Sequence, residues 1–288
     1  MMILIVSAVT FALLSSAGGD AFTSLRDNPQ VSETTIENLR NVYGLDQPVT
    51  VRYAKWLWAT LRGELGESFY FRTPVRDLVL SRLASTFSIS VAAIVIAMTV
   101  ALGLGFLSAR FRWTWLARLI GFLIVLTSSM PRLVIALVGL AVIARSDDLS
   151  AFAVAAIVLA APVIAIFLAQ FNDGLDRSMS EDFVQLARAK GLSEWTVILR
   201  HASRAALSPV LTILGLSFGG LLGGSVIVET ILGRPGLGSL MVTAVRSRDI
   251  PLVMGIVLIA SAAVWIGNAL AEFLQMLNDK RLLLLETQ

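Results

Sequence analysis

Long apolar runs alternate with short polar intervals along this chain. The runs at about 84–108, 116–144, 150–171, 207–228 and 251–277 each have the length a helix needs to cross a bilayer, about 20 residues. The stretch 1–17 is a further apolar run, read as a first spanning helix. Ser15-Ser16-Ala17 resembles a small-residue cleavage site, but the basic segment that precedes a signal peptide's apolar core is missing. Pro131 falls near the middle of the run 116–144 and is expected to kink one long helix there. Pro162 lies inside the next run.

Residues 18–83 are polar and mixed, and read as a cap of short helices. Ser32–Val42 has helical spacing, with Gly44 as a stop signal. Pro48–Leu61 places Tyr53, Trp56, Leu57 and Leu61 on one apolar face, as in a helix at a membrane interface or over a small core. Gly63–Ser68 breaks the pattern. Pro74 then opens a short amphipathic helix through Leu83, ahead of the span at 84.

The most elaborate polar interval, 177–206, reads as two short helices around a turn. Phe183, Leu186 and Ala187 share a face of the first. Gly191 supplies the left-handed position that ends it. Ser193 is an N-cap candidate for the second, whose apolar stripe is Trp195, Ile198, Leu199, Ala202 and Ala206.

Composition agrees with an all-α polytopic membrane protein. Of 288 residues, 56% are hydrophobic, and the mean hydropathy is +0.80. A soluble fold would leave too much of that surface in water. The net charge of +3 gives no reason to expect a nucleic-acid partner; the partner is the lipid bilayer. The placement of cations matters more. Arg110, Arg112 and Arg118, then Arg177, Arg188, Lys190, Arg200 and Arg204, then Lys280 and Arg281 fall on one side if there are six spans. That side is expected to be the cytoplasm, with both termini, including the tail 278–288, inside. Arg234, Arg246 and Arg248 go weakly against the count.

The chain lacks the residues of an enzyme. With no cysteine and a single histidine, His201, it cannot build a thiolate or histidine metal cluster or a His-based triad. His201 is read onto a wet helix face. No G-x-x-x-x-G-K-[ST] occurs, so this chain has no P-loop of its own, and no metal or cofactor is expected on it. Asp147 and Asp148 read as solvated. Arg132 stands out because an ionisable group inside a span is costly and by default functional. It either lines a pathway or snorkels into an aqueous cavity. Gly215, Gly219, Gly220, Gly223 and Gly224 have small-xxx-small spacing, which permits close helix packing.

Three segments then resemble the permease subunits of binding-protein-dependent ABC importers of the dipeptide/oligopeptide type. The first is Asp182-Phe183-Val184 through Leu186-Ala187-Arg188-Ala189-Lys190-Gly191-Leu192, with His201, Arg204 and Pro209 beyond; it is similar to the family's EAA loop. The second is Glu229-Thr230 through Pro235-Gly236-Leu237-Gly238, then Arg248-Asp249-Ile250-Pro251. The third is Gly44-Leu45-Asp46-Gln47-Pro48, Gly63-Glu64-Leu65-Gly66, Ser68, Pro74-Val75 and Thr86, which resembles the B-type member of the permease pair.

The resemblance implies the six-helix type I importer permease fold, an extracytoplasmic cap between helices 1 and 2, and a cytoplasmic coupling loop. It implies an inner or plasma membrane location. It implies three kinds of partner: a second, homologous permease in a heterodimer, one or two P-loop ATPase subunits, and an extracytoplasmic substrate-binding protein. In the coupling loop, Phe183, Leu186, Ala187, Gly191 and Leu192 would dock or shape the contact, with Asp182, Arg188 and Lys190 at its rim. The cargo would be di- or oligopeptides, with nickel or another small solute as the alternative. A self-contained secondary transporter is the rival from another class. It would call for internal repeats and more midplane charge than Arg132. The sequence departs from the family where Gly18-Gly19-Asp20 stands for a longer motif, where Arg132 follows Pro131, and where the tail reads Asp279-Lys280-Arg281.

Overall fold

The computed structural model describes residues 2–16, 32–42, 44–110, 115–145 and 150–278. Ala17, the Gly18-Gly19-Asp20 stretch, Arg112, Asp147, Asp148, Asp279, Lys280 and Arg281 lie outside them. The described residues form helices and turns around one isolated β-bridge, Glu67 to Pro74. The helices are α1 (Met2–Ser16), α2 (Glu33–Val42), α3 (Val49–Leu61), α4 (Val75–Arg110), α5 (Trp115–Ser129), α6 (Arg132–Ile143), α7 (Ala151–Met179), α8 (Asp182–Ala189), α9 (Glu194–Thr196), α10 (Ser203–Ile231), α11 (Leu237–Arg246) and α12 (Ile250–Asn278). A π-helical segment, Val197–Ala202, joins α9 to α10, so Glu194–Ile231 runs as one helix.

Among the described residues, four helices have the length and apolarity to cross a membrane: Val75–Arg110, Ala151–Met179, Glu194–Ile231 and Ile250–Asn278. Met2–Ser16, Arg132–Ile143 and Leu237–Arg246 are apolar but shorter.

Several expected boundaries move. The amphipathic helix from Pro74 and the span at 84 are one helix of 36 residues, about 54 Å long at ~1.5 Å per residue. No proline or glycine interrupts it between Val75 and Leu102, so nothing stops the hydrogen-bond ladder. The expected kink at Pro131 is instead a break. Pro131 has φ −58° and ψ 135°, outside the helical region, because proline lacks the N–H that would bond Thr127 and disfavours helical backbone at Met130. Its carbonyl starts α6 by accepting from Val134 N–H at 2.9 Å. The polar interval between Val228 and Pro251 contains α11.

The chain divides into two compact units. The first comprises Met1–Thr86 and Pro235–Ala263. Its apolar core gathers Leu65, Val75, Val79, Leu237, Leu240, Leu252 and Ile256, with a smaller cluster of Phe11, Ile250 and Met254 under Tyr53 and Trp56. Tyr53 also reaches α1, its hydroxyl lying 3.0 Å from Ser7 Oγ. Leu61, expected on that face, is exposed. Eight residues at about 100° each carry it some 80° around the helix from Tyr53.

The second unit comprises Phe87–Arg234 and Val264–Gln288. Its core is centred on α7, where Leu159, Phe167, Leu168 and Phe171 are buried. α7 and α10 meet at Gly174, where a Cβ would lie 2.9 Å from the Ala206 Cα and carbonyl oxygen.

Candidate functional site

Three arrangements carry the polar chemistry. The first is the turn between α8 and α9. Gly191 has φ +74°, the left-handed conformation expected of it, and its N–H bonds the Arg188 carbonyl at 2.9 Å. Ser193 caps the next helix, its Oγ accepting from Thr196 N–H at 3.3 Å. Across the turn, Arg188 Nε and Nη2 donate to Glu194 Oε1 and Oε2 at 2.8 and 3.2 Å. This fork-to-fork pairing closes the turn.

The short helix α8 is two-faced. Val184 and Ala187 are buried, at 0% and 4% exposure, whereas Phe183 and Leu186 stand at 42% and 58%. Ala187 therefore packs on the chain's own bundle, while Phe183, Leu186 and Leu192 remain exposed. The stripe after the turn divides likewise: Ile198, Ala202 and Ala206 are buried, and Trp195 and Leu199 are exposed. Val197, which the stripe did not include, is fully buried; the π-helical register turns it inward. His201 is half-buried. Asp182, Ala189 and Lys190 are exposed, with Lys190 closing α8 as its C-cap. Arg204 and Asn278 hold α10 to the end of α12 by reciprocal side-chain-to-carbonyl bonds of 3.3 and 3.1 Å.

The second arrangement is a polar knot in the first unit. Asp249 is completely buried. Its Oδ2 accepts from Ser68 Oγ at 2.6 Å and Tyr70 N–H at 3.0 Å, and its Oδ1 caps α12 by accepting from Leu252 N–H at 3.1 Å. A buried carboxylate needs such donors in place of water. Pro251 occupies the first turn of α12, where its missing N–H costs no helical bond. Gly236 is the N-cap of α11, Gly238 is buried, and Leu237 N–H donates to Thr86 Oγ1 at 2.8 Å. Pro235 precedes this cap. Glu229 is buried in α10, in the second unit, and its carbonyl accepts from Arg234 N–H at 2.8 Å.

The third arrangement is Arg132, at the first position of α6. Its Nη1 donates to the Gly220 carbonyl at 3.0 Å. A Cβ on Gly224 would overlap Nη1 and lie 3.1 Å from the guanidinium carbon. The five glycines of α10 thus divide. A Cβ on Gly215 would lie 3.0 Å from Ala271 and Asn268 of α12, and one on Gly219 would lie 3.4 Å from Val264. Gly224 receives the Arg132 guanidinium instead of a helix, because the guanidinium fills the space a side chain would take, whereas Gly220 contributes its carbonyl and a Cβ there would lie 3.9 Å from Nη2. A Cβ on Gly223 would meet open space. Spacing along the sequence cannot separate these roles. Nor did it pair Arg188 with Glu194 or Ser68 with Asp249.

A multi-pass helical membrane protein with an exposed apolar turn, a buried carboxylate knot and one cradled arginine fits a transport component better than an enzyme. The comparisons agree. The binding-protein-dependent transport system inner membrane component family matches residues 101–284, and its N-terminal region matches residues 1–90. The chain belongs to that family. A Brucella abortus chain classed as a peptide transport system permease is 34% identical over 297 residues, covering 96% of this chain and 94% of that one. The oligopeptide permease AppB of Bacillus subtilis is 29% identical over 297 residues, covering 96% and 94%. The glutathione permease GsiC of Escherichia coli is 31% identical over 279 residues, covering 94% and 91%. A crystal structure of an amino acid ABC transporter shares the fold, with TM-score 0.56, 20% identity, and coverage of 72% of this chain and 94% of that one.

Proposed function

We propose that this chain is one of two permeases of an ATP-driven importer for di- or oligopeptides, and that α8 with its turn is the contact for a P-loop ATPase. The observation that carries this reading is the exposed row Phe183, Leu186 and Leu192, set on a turn held by Gly191 and the Arg188–Glu194 pair and anchored inward by Val184 and Ala187. Apolar side chains presented from a rigid, anchored element are what a partner's groove can grip, and a force on them would reach the spans through the buried half of α8. The peptide cargo is supported by the relatives named above.

Membership of the family supports the rest of this reading. The four long helices, with α1 and the α5–α6 pair, would make six crossings. Both termini and the α8 turn would face the cytoplasm. The segments 18–83 and 232–249 would face outward and receive a substrate-binding protein. ATP would be hydrolysed by the partner, with no cofactor on this chain.

The test is co-purification of the tagged chain from membranes, with Phe183→Asp and Leu186→Asp as variants. A P-loop ATPase retained by wild type and lost from both variants is the expected result. An ATPase retained undiminished by both would refute the docking role of this row.

A further inference from the structure

Arg132 sits where a cation is hard to keep. The apolar run Leu207–Val228 has its centre within a turn of Gly220, the residue whose carbonyl receives the guanidinium. Gly220 is also eleven residues before Ile231, about 17 Å along the axis at ~1.5 Å per residue, close to the half-thickness of a hydrocarbon core of roughly 30 Å.

At that depth, among the described residues, the neutral Gly220 carbonyl is the hydrogen-bond partner of Arg132 and no carboxylate pairs with it. The guanidinium has five donors, so most of them remain to be met. The arginine is half-exposed, beside a face of α10 on which Thr212, Leu216, Gly220 and Gly223 are exposed at helical spacing. If that face met lipid, the charge would lie against hydrocarbon at its most expensive depth. The glycine cradle leads to the same conclusion: Gly224 leaves room for the guanidinium and Gly220 bonds it, so it is held at this level rather than reaching for either surface.

We propose that this face of α10 is a wall of an aqueous translocation path, and that Arg132 recognises an anionic group passing along it: the terminal carboxylate of a carried peptide. The cargo in this statement rests on the peptide reading above; the aqueous, anion-attracting wall does not. A planar guanidinium with free donors pairs with a carboxylate through two parallel hydrogen bonds. A fixed cation at mid-depth also compensates the desolvation of an anion that must cross.

Two measurements separate the parts. The chain contains no cysteine, so Gly223→Cys, at a position with open space around it, gives a single thiol beside Arg132. In the reconstituted complex, with partner cysteines removed, a negatively charged methanethiosulfonate should react there about tenfold faster, relative to its positively charged counterpart, than after Arg132→Gln is added. No labelling by either reagent, or a ratio indifferent to Arg132→Gln, overturns the aqueous wall. The second measurement is uptake of one dipeptide as the free acid and as the C-terminal amide by the full transporter in proteoliposomes. The binding protein and ATPase are common to all variants, so their preferences cancel in the acid-to-amide ratio. Arg132→Gln should lower that ratio about tenfold or more, as expected for one lost charge-assisted contact, and Arg132→Lys should restore part of it. A ratio unchanged in both variants overturns the carboxylate assignment. Loss of the second permease from Arg132→Gln, with a normal ratio in Arg132→Lys, overturns it in favour of an ion pair between subunits. If wild type imports no peptide while the thiol ratio behaves as expected, the peptide reading fails and the anion-attracting wall stands.

Discussion

Ser68 Oγ donates a 2.6 Å hydrogen bond to Asp249 Oδ2 in a site where both residues are buried. The two lie 181 positions apart, and between them they tie the 63–74 loop to the start of α12. Asp249→Ala would strand Ser68 Oγ and the N–H groups of Tyr70 and Leu252, so it should cost several kcal/mol, whereas Ser68→Ala should cost about 1–3 kcal/mol. Thermal unfolding of the singles and the double in detergent checks this. Because the bond is shared, the double variant should lose less than the sum of the singles, and strict additivity would show that the pair is not coupled.

Neighbouring positions on α8 should respond oppositely to the same substitution. Val184→Asp buries a carboxylate in the bundle and should unfold or destabilise it by several kcal/mol. Phe183→Asp places the charge in solvent and should leave the stability within about 0.5 kcal/mol of wild type. Equal stability losses at both positions would contradict the two-faced geometry.

The Arg188–Glu194 pair is solvent-exposed, so Arg188→Ala should change stability by about 0.2–1 kcal/mol, less at high salt. Gly191→Val forces a β-branched residue to φ +74° and should cost about 1–3 kcal/mol, although no atom blocks its side chain. If denaturation midpoints rank Arg188→Ala as the worse lesion, the turn is held by its ion pair and not by the glycine.

Glycines that look alike in sequence should separate in the melting temperature. Gly174→Ala presses on the Ala206 backbone and Gly255→Ala on the Val75 side chain, and each should be destabilising by about 1–3 kcal/mol. Gly223→Ala meets open space and should be neutral or stabilising by up to about 1 kcal/mol, from helix propensity. Similar losses at all three would mean that helix packing is not what sets these positions.

Much was legible from the order of residues alone, because it rests on local physics. Apolar runs of bilayer length mark helices whatever surrounds them. A glycine three residues before a glutamate, with serine between them, predicts a turn and a cap, and Gly191 and Ser193 adopt those conformations. The EAA-like segment around Asp182–Leu192 pointed to the transport family that the comparisons then established. What stayed hidden depended on which surfaces meet. Ala187 turns inward while Leu186 turns outward, a choice made by where the bundle lies and not by hydrophobicity, which would favour burying the leucine. Met130-Pro131 ends one helix and starts another because the lost hydrogen bond and restricted backbone could be relieved by a full break as well as by a kink. The small-xxx-small repeat of α10 was visible as a repeat, but only packing in three dimensions assigned Gly215 and Gly219 to a helix and Gly220 and Gly224 to a guanidinium from another helix. A missing Cβ leaves room; whether a helix, a guanidinium or nothing takes that room is decided by the tertiary structure.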